Sequence, residues 1–182
     1  MDKKFRYVCR MAINIIRMPF LRIISLGNIC IPVKQLASIT AKIRCYNGGS
    51  IIVKGLANIE EGTLLESIGG ALSIGNNCMI NRNGTVVCME SIRIGDNVSI
   101  GPNVCIYDHD HNLNKSNTGG EDFVSKPIII ENNVWIGANV TVLKGVTIHK
   151  NAVIAAGTTV TKDVLENEIV GGSPCKLLKK RL

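Results

Sequence analysis

The sequence predicts an all-β solenoid in which short parallel strands stack as successive triangular coils. Two observations on the 182 residues carry this prediction. The first is an aliphatic residue that returns at every sixth position over a long stretch of the chain. The second is the composition, because hydrophobic residues make up 46% of the chain and aromatic residues only 4%. The core must therefore be built from Ile, Val, Leu, Ala and Cys.

The clearest repeat begins at Ile130 and keeps its register to Val160. Its aliphatic positions are Ile130, Ile136, Val142, Ile148, Ile154 and Val160. A period of six fits neither an amphipathic helix nor a strand with one buried face. It fits short strands joined by tight turns, in which Gly or Asn accepts the positive φ of a corner. Three such hexads close one triangular coil, and the coils stack by parallel pairing.

Two earlier stretches show the same period, and a third shows it loosely. Their aliphatic positions are Ile74, Ile80 and Val86; Ile94, Ile100 and Ile106; and, less regularly, Val53, Ile59 and Leu65. The step from Val86 to Ile94 is eight residues, so two extra residues interrupt the phase there. Ile106 and Ile130 are 24 residues apart, a multiple of six, so we interpret residues 107–129 as a loop extruded from an unbroken solenoid.

These patterns divide the chain into three parts. We expect an N-terminal helical cap of basic and apolar character over residues 1–48. The β-helix, with its loop at 107–129, occupies residues 49–168. A basic C-terminal tail follows at residues 169–182.

Residues 1–26 mix basic and apolar side chains. A cap over the exposed end of the solenoid is one interpretation, because a terminal coil exposes apolar surface and strand edges. An interfacial membrane anchor is the other. Pro19 is expected to break or kink a helix in this segment. No apolar run reaches the roughly 18 residues of a membrane span, and no signal peptide is indicated. We therefore expect a cytoplasmic protein, with peripheral contact at the inner membrane face left open.

The net charge of +7 is concentrated at the two ends of the chain. The middle is nearly balanced, so a nucleic-acid groove along the body is disfavoured, whereas a phosphate-bearing cofactor suits the basic ends. The seven cysteines are widely spaced and form no CxxC pair, which favours reduced core thiols over a zinc site or disulfides. No metal is expected at Asp-His-Asp-His, residues 108–111, because four adjacent residues cannot all converge on one ion.

Three motifs extend the interpretation from fold to family. Residues 133–140 read NVWIGANV, residues 145–148 read GVTI, and residues 171–176 read GGSPCK. This sequence resembles the hexapeptide-repeat acyltransferases, in the branch of galactoside, maltose and polysaccharide O-acetyltransferases, over roughly residues 50–182. The resemblance implies a left-handed parallel β-helix and acetyl-CoA as the co-substrate. It also implies a homotrimer with its active sites between chains.

The chain has three histidines, and histidine suits the base that takes a proton from an acceptor hydroxyl. His149 falls on an outward corner of a regular hexad and is interpreted as solvated surface. The resemblance places the catalytic base at His111, at the start of the loop. His109 remains the alternative base and a candidate substrate contact.

The resemblance also implies binding residues. Asn81 would face the acceptor sugar with Asn83 beside it, although Asn83 could merely turn a corner and Asn81 merely be exposed. The Ala138 amide would stabilise the thioester oxyanion, and two lysines would lie near the CoA phosphates. The full set implied for the cofactor is Ala138, Ala156, Thr161, Lys162, Lys176 and Lys179.

The sequence thus predicts an acetyl-CoA-dependent O-acetyltransferase that acts on a sugar hydroxyl in polysaccharide, capsule or lipopolysaccharide synthesis. Transfer would be direct, with a histidine base. The alternatives are N-acetyl transfer to an amino sugar, serine acetylation, and a non-catalytic solenoid scaffold. The sequence does not name the sugar or assign roles to Asp108 and Asp110.

Overall fold

A computed structural model of the chain describes residues 2–112 and 122–181. One helix, α1 (Lys3–Ile24), precedes a series of short strands. The strands are β1 (Ile29–Cys30), β2 (Lys42–Tyr46), β3 (Ser50–Val53), β4 (Ala57–Ile59), β5 (Leu64–Ile68), β6 (Ala71–Ile74), β7 (Cys78–Ile80), β8 (Thr85–Cys88), β9 (Ser91–Ile94), β10 (Ser99–Ile100), β11 (Cys105–Tyr107), β12 (His109–His111), β13 (Phe123–Ser125), β14 (Ile128–Ile130), β15 (Trp135–Ile136), β16 (Thr141–Val142), β17 (Thr147–Ile148), β18 (Val153–Ile154), β19 (Thr159–Val160), β20 (Glu168–Gly171) and β21 (Lys176–Lys180).

The strands form the three faces of a triangular prism, and each coil of the chain visits the faces in the same order. The first face is β1-β3-β6-β9-β14-β17, the second is β4-β7-β10-β15-β18-β20-β21, and the third is β2-β5-β8-β11-β16-β19. All neighbours within a face are parallel except β20 and β21. The predicted β-solenoid is confirmed.

The register follows the hexads. Ile130 lies opposite Ile148, and Val142 lies opposite Val160, so each of these coils advances by three hexads. Ile94 lies opposite Ile130 across the predicted loop, which shows that the excursion leaves the stacking intact. The aliphatic residues of the repeat are completely buried and form one continuous column along the axis.

Asparagine ladders explain the polar residues at two corners. Between the first and second faces, Asn77, Asn97, Asn133, Asn151 and Asn167 all have positive φ. Each of the first four donates its side-chain amide to the side-chain oxygen of the next. Asparagine tolerates the left-handed conformation and carries both a donor and an acceptor, so one residue type turns the corner and links the coils.

The hairpin of β12 and β13 is the described part of the predicted loop. It leaves the prism after β11 and returns before β14, at the corner between the third and first faces. The tip of the loop, residues 113–121, lies outside the described residues.

Helix α1 covers the open end of the solenoid with its polar side. The Asn14 amide donates to the carbonyls of Gln35 (3.1 Å) and Ala37 (2.9 Å). Arg17 donates to the carbonyls of Ser38 and Ala41. These carbonyls belong to the first coil, which has no preceding coil to bond, so α1 supplies the missing donors.

Of the break or kink predicted at Pro19, the break does not occur, because α1 is continuous from Lys3 to Ile24. Pro19 lies on the exposed side of the helix. The carbonyl that loses its partner there, that of Ile15, can be solvated, which lowers the cost of the proline. Within the residues the structure describes, no helix is long and apolar enough to cross a membrane.

The solenoid extends beyond the predicted boundaries at both ends. β1 and β2 already pair with the coils that follow them, so the first coil begins within residues 1–48. The predicted C-terminal tail contains β21, which closes the second face as an antiparallel edge strand. Both ends depart from the six-residue spacing, which is why the repeat alone did not reveal them.

We expect Asn14→Ala to destabilise the fold by about 1–3 kcal/mol, because it leaves two buried carbonyls without donors. Ile16→Ala, on the exposed side of the same helix, should change stability by less than about 0.5 kcal/mol. Urea unfolding of the two variants measures the difference. Equal effects would show that the polar contacts of α1 do not hold it on the solenoid.

The Arg10–Glu60 pair should make stability depend on pH. Arg10 donates to Glu60 at 2.8 Å, and this hydrogen bond holds the pKa of Glu60 below 4.5 against the opposing effect of burial. The ionised carboxylate therefore contributes stability above about pH 4.5 that is lost as the pH falls further. Glu60→Gln should be about 1.5–3 kcal/mol less stable than the wild type at pH 7, because Arg10 loses its short charged hydrogen bond and keeps only the more exposed Glu61 carboxylate, at 3.5 Å, as counter-charge.

The gap between wild type and Glu60→Gln should close as the pH falls from 4.5 through the lowered pKa of Glu60, since the wild-type side chain becomes neutral only below that pKa. Thermal unfolding across this range measures it. The control is Glu166→Gln, which removes an exposed partner of Lys150 and should leave no gap. A Glu60→Gln gap that does not vary with pH would contradict the ion-pair explanation.

Candidate active site

Asp108 is the fixed point at the base of the hairpin. Its side chain is completely buried at the corner between the third and first faces. One carboxylate oxygen accepts the Met89 N–H (2.8 Å), and the other accepts those of Glu90 (2.8 Å) and Ser91 (2.9 Å). The eight-residue step between Val86 and Ile94 therefore has a structural role, because the turn it contains presents three backbone N–H donors to the Asp108 carboxylate.

The buried Asp108 carboxylate also makes the neighbouring Cys88 thiol less reactive. Burial, reinforced by the Asp108 carboxylate, raises the pKa of Cys88 to about 12. Burial also raises the pKa of Cys78. Both thiols stay protonated near neutral pH and are poor nucleophiles. All seven cysteines are free.

His109 is held from three sides at the start of the hairpin. Its Nδ1 lies 3.1 Å from an Asp108 carboxylate oxygen. Its ring packs edge-on against Tyr107 (6.0 Å between ring centres) and Phe123 (5.4 Å). The side chain is only 13% exposed. This histidine has a fixed orientation and little access to solvent.

His111 lies two residues further along the same strand and is exposed. Its ring is tilted against Phe123, with 4.7 Å between the ring centres. Because alternate residues of a strand share one side, the two imidazoles flank one aromatic support. The hairpin therefore presents His111 to solvent on a rigid base.

Asp110, between the two histidines, points away from them. Its carboxylate pairs with Lys144, which follows β16 in the next coil. The Lys126 N–H donates to the Asp108 carbonyl at 2.8 Å, which ties the returning strand to the same corner. These bonds fasten the hairpin to the prism. Within the described residues, no three His, Cys, Asp or Glu side chains come together as a metal site.

A second feature is a groove of about 420 Å³ along the second face. Trp135, which is 60% exposed, forms part of its wall. Three predicted site residues line it together: Asn81, Ala138 and Ala156. The groove is largely apolar, so it suits an extended chain that carries few charges.

The two asparagines of the predicted acceptor site separate in the structure. Asn81 lines the groove, and its side-chain oxygen accepts the Arg82 N–H (2.8 Å). Asn83 has a φ of 56° and donates its amide to Asn103, which donates in turn to Asn139. Asn83 therefore belongs to a corner ladder, and its side chain is committed to the turn.

The predicted cofactor residues fall in two places. Lys176 and Lys179 lie exposed on β21, two strands beyond the β18 wall of the groove. At the usual strand spacing this is a distance of about 10 Å along the second face. Thr161 and Lys162 are exposed after β19, at the corner between the third and first faces. They lie on the side of the hairpin and not beside the groove.

The histidine hairpin and the groove occupy different corners of one prism. Asn81 follows a strand of the second face, whereas His111 follows a strand of the third. The fold of a single chain therefore does not bring these two residues together. His149 lies on an outer corner with Glu131 at 3.3 Å, and this contact, after the Lys150 N–H, lowers the pKa of Glu131.

Two family models match the chain. "Bacterial transferase hexapeptide (six repeats)" covers residues 127–162, and "Hexapeptide repeat of succinyl-transferase" covers residues 71–108. The galactoside O-acetyltransferase of Escherichia coli K12 is 38% identical over 136 residues, which is 72% of this chain and 67% of that protein. An Escherichia coli K12 protein named as a lipopolysaccharide biosynthesis O-acetyl transferase is 31% identical over 75% of this chain and 76% of its own length.

A solved structure agrees with these relatives. It is a hexapeptide-repeat acetyltransferase from Vibrio cholerae in complex with acetyl-CoA. It is 30% identical, with a TM-score of 0.50 over 84% of this chain and 67% of that one. The stacked coils are thus those of a left-handed parallel β-helix, and this chain belongs to the hexapeptide-repeat acyltransferase family.

Proposed function

We propose that this acyltransferase moves an acetyl group from acetyl-CoA to a sugar hydroxyl in the synthesis of polysaccharide, capsule or lipopolysaccharide. Two observations carry the proposal. An apolar groove runs along the second face toward a basic edge strand, and an exposed histidine stands on a braced hairpin. The relatives named for galactoside and lipopolysaccharide O-acetyl transfer support a sugar acceptor.

The donor fits the second face. An acyl-pantetheine arm is long and mostly uncharged, and the groove beside Trp135, Ala138 and Ala156 has that character. The phosphates at the other end of CoA need cations, which Lys176 and Lys179 on the edge strand supply as point charges. The complex of the Vibrio cholerae acetyltransferase with acetyl-CoA supports this choice of donor.

His111 is the proposed base. A base must bring a ring nitrogen to an incoming hydroxyl, and His111 is the exposed histidine of the hairpin. It removes the hydroxyl proton as the sugar oxygen attacks the thioester carbonyl. The Ala138 N–H stabilises the resulting oxyanion. When the carbon–sulfur bond breaks, the proton passes from His111 to the departing CoA thiolate.

His109 is the alternative base and otherwise a substrate contact. The Asp108 carboxylate fixes its ring orientation, as a base requires, but the same packing limits its access to a substrate. Exposure therefore favours His111 over His109.

A homotrimer completes the site. The hairpin of one chain can meet the groove of a neighbour when copies are related by a threefold axis, because each chain carries both halves on different corners. Thr161 and Lys162, on the hairpin side, then approach the donor bound to the neighbouring chain.

The first test is thiol release from acetyl-CoA with a panel of sugars and amino sugars, corrected for the protein's own cysteines. Release that requires a hydroxyl acceptor supports the proposal. Release only with amino sugars would replace it with N-acetyl transfer. No binding of acetyl-CoA would leave the scaffold alternative.

We expect His111→Ala to lower kcat by at least about 10²-fold, the usual scale for a lost general base. The matched control is His149→Ala, which removes a surface histidine and should retain wild-type kcat. His109→Ala is measured beside them. A larger kcat loss in His109→Ala than in His111→Ala would transfer the role of base to His109.

Subunit complementation tests the shared site. Ala156→Phe should fill the groove and raise the KM for acetyl-CoA at least about tenfold, whereas Ala12→Phe, an exposed alanine on α1, should not. Co-expressed Ala156→Phe and His111→Ala chains should regain activity, because random assembly makes about a quarter of the interfaces intact on both sides. No recovery in verified mixed trimers would mean that each chain carries a whole site.

A further inference from the structure

Helix α1 packs on the solenoid in an unusual orientation. Its polar side contacts the solenoid, and its apolar side faces solvent. Asn14 and Arg10 are buried against the solenoid. The apolar residues that α1 and the following turn leave exposed form what we name the apolar face: Phe5, Val8, Ile13, Ile15, Ile16, Phe20, Ile23, Ile24 and Leu26. Ile16 is 78% exposed and Ile23 is 73% exposed. An apolar strip along the whole length of a helix marks an interaction site.

The solenoid does not need this face for its own stability. The first coil is already bonded through the polar side of α1, and Met18 supplies the buried apolar contact. Outward positions of a helix in contact only with water are normally polar. The pattern therefore calls for a partner outside the chain.

The charges on α1 identify the kind of partner. The segment Lys3–Ile24 contains six Lys and Arg and no Asp or Glu, and three of the six, Arg6, Arg10 and Arg17, are engaged by Glu60 or by carbonyls of the first coil. Lys4 and Arg22 are exposed and lie five helical turns apart on the same border of the apolar face. A cationic border beside an apolar strip is the arrangement of helices that lie in the plane of an anionic membrane surface.

A second copy of the helix suits the face less well. Two antiparallel copies packed face to face would place Lys4 of one chain near Arg22 of the other. Like charges at such short range repel, and α1 offers no acidic residue to offset them. Anionic lipid headgroups are complementary to the same border.

We propose that α1 docks the enzyme on an anionic lipid bilayer, with the apolar face in the headgroup–acyl boundary and the basic border on the lipid phosphates. If the trimer of the proposed function forms, a threefold rotation keeps all three helices at one height along the axis. Three faces can then engage one bilayer together, which strengthens binding without any new contact.

Vesicle flotation of the full-length protein tests the inference. The probes are vesicles of phosphatidylcholine alone and vesicles with phosphatidylglycerol added at about one lipid in four. We expect the wild type to float with the anionic vesicles, and to float less as salt rises from about 0.05 to 0.5 M. Failure to float with anionic vesicles at low salt would overturn the proposal.

Two sets of variants separate the apolar and the cationic contributions. Ile16→Glu/Ile23→Glu should lower the vesicle-bound fraction at least about tenfold, and Lys4→Glu/Arg22→Glu should remove the preference for anionic lipid. The matched control is Leu165→Glu, an exposed leucine outside α1, which should float like the wild type. Flotation that survives Ile16→Glu/Ile23→Glu would refute the apolar face as the contact. Concentration-dependent self-association that this variant abolishes, in a protein that does not float, would assign the face to a second copy.

Acetyl transfer to a water-soluble sugar, assayed without vesicles, keeps the two proposals apart. The α1 variants should retain it, because no substituted residue belongs to the groove or the hairpin. Flotation without transfer would count against the proposed function alone, and transfer without flotation would count against the membrane inference alone.

Discussion

The fold depends on one constraint, which is the register between successive coils. Each inward side chain must stack directly on the corresponding side chain of the preceding coil. Ile94 and Ile130 meet this constraint across the loop, although the intervening chain leaves the prism and comes back. The excursion is tolerated because it starts and ends at a corner. There the buried Asp108 binds three backbone N–H groups of the previous coil and fixes the point of departure. The hairpin is thus held rigidly because its base is bonded to the stacked coils.

The same constraint leaves unpaired backbone groups at the first coil, and the chain resolves this with polar side chains. Asn14, Arg10 and Arg17 bond groups that a preceding coil would otherwise have bonded. Donors must therefore face inward on α1, and the apolar residues of the helix are left on the outside. The inward polar side of α1 follows from the edge of a parallel stack, whereas its apolar outward side does not, because a side that meets only water is normally polar.

The hexads were sufficient to predict the solenoid, because a period of six is incompatible with other regular structures. They also located the loop, since the register survives it. They could not reveal the first coil, where turns of irregular length replace the hexads, or the role of Asp108, which depends on donors from a turn seventeen to nineteen residues earlier in the chain. Trp135 belongs to a family motif in the sequence, and only the folded chain shows that it forms a wall of the groove. The spacing of residues along the sequence predicts which side chains face inward. It does not predict which outward-facing side chains of different coils lie in contact.

The division of the candidate site between two corners also follows from the prism. Outward side chains on different faces of the triangular prism point away from one another. A single solenoid therefore offers a convex surface with only shallow grooves between its strands. A deep site that excludes water needs a second surface opposite the first, and excluding water strengthens the oxyanion and general-base interactions that acyl transfer requires. In the proposed trimer, a neighbouring copy would provide that surface with no additional domain. The hairpin is also distant from the end that carries α1, because it leaves the fourth coil, roughly 15 Å from the first at the usual strand spacing. A docked enzyme would therefore hold its hairpin above the bilayer, at the level of a glycan that projects from the lipid surface.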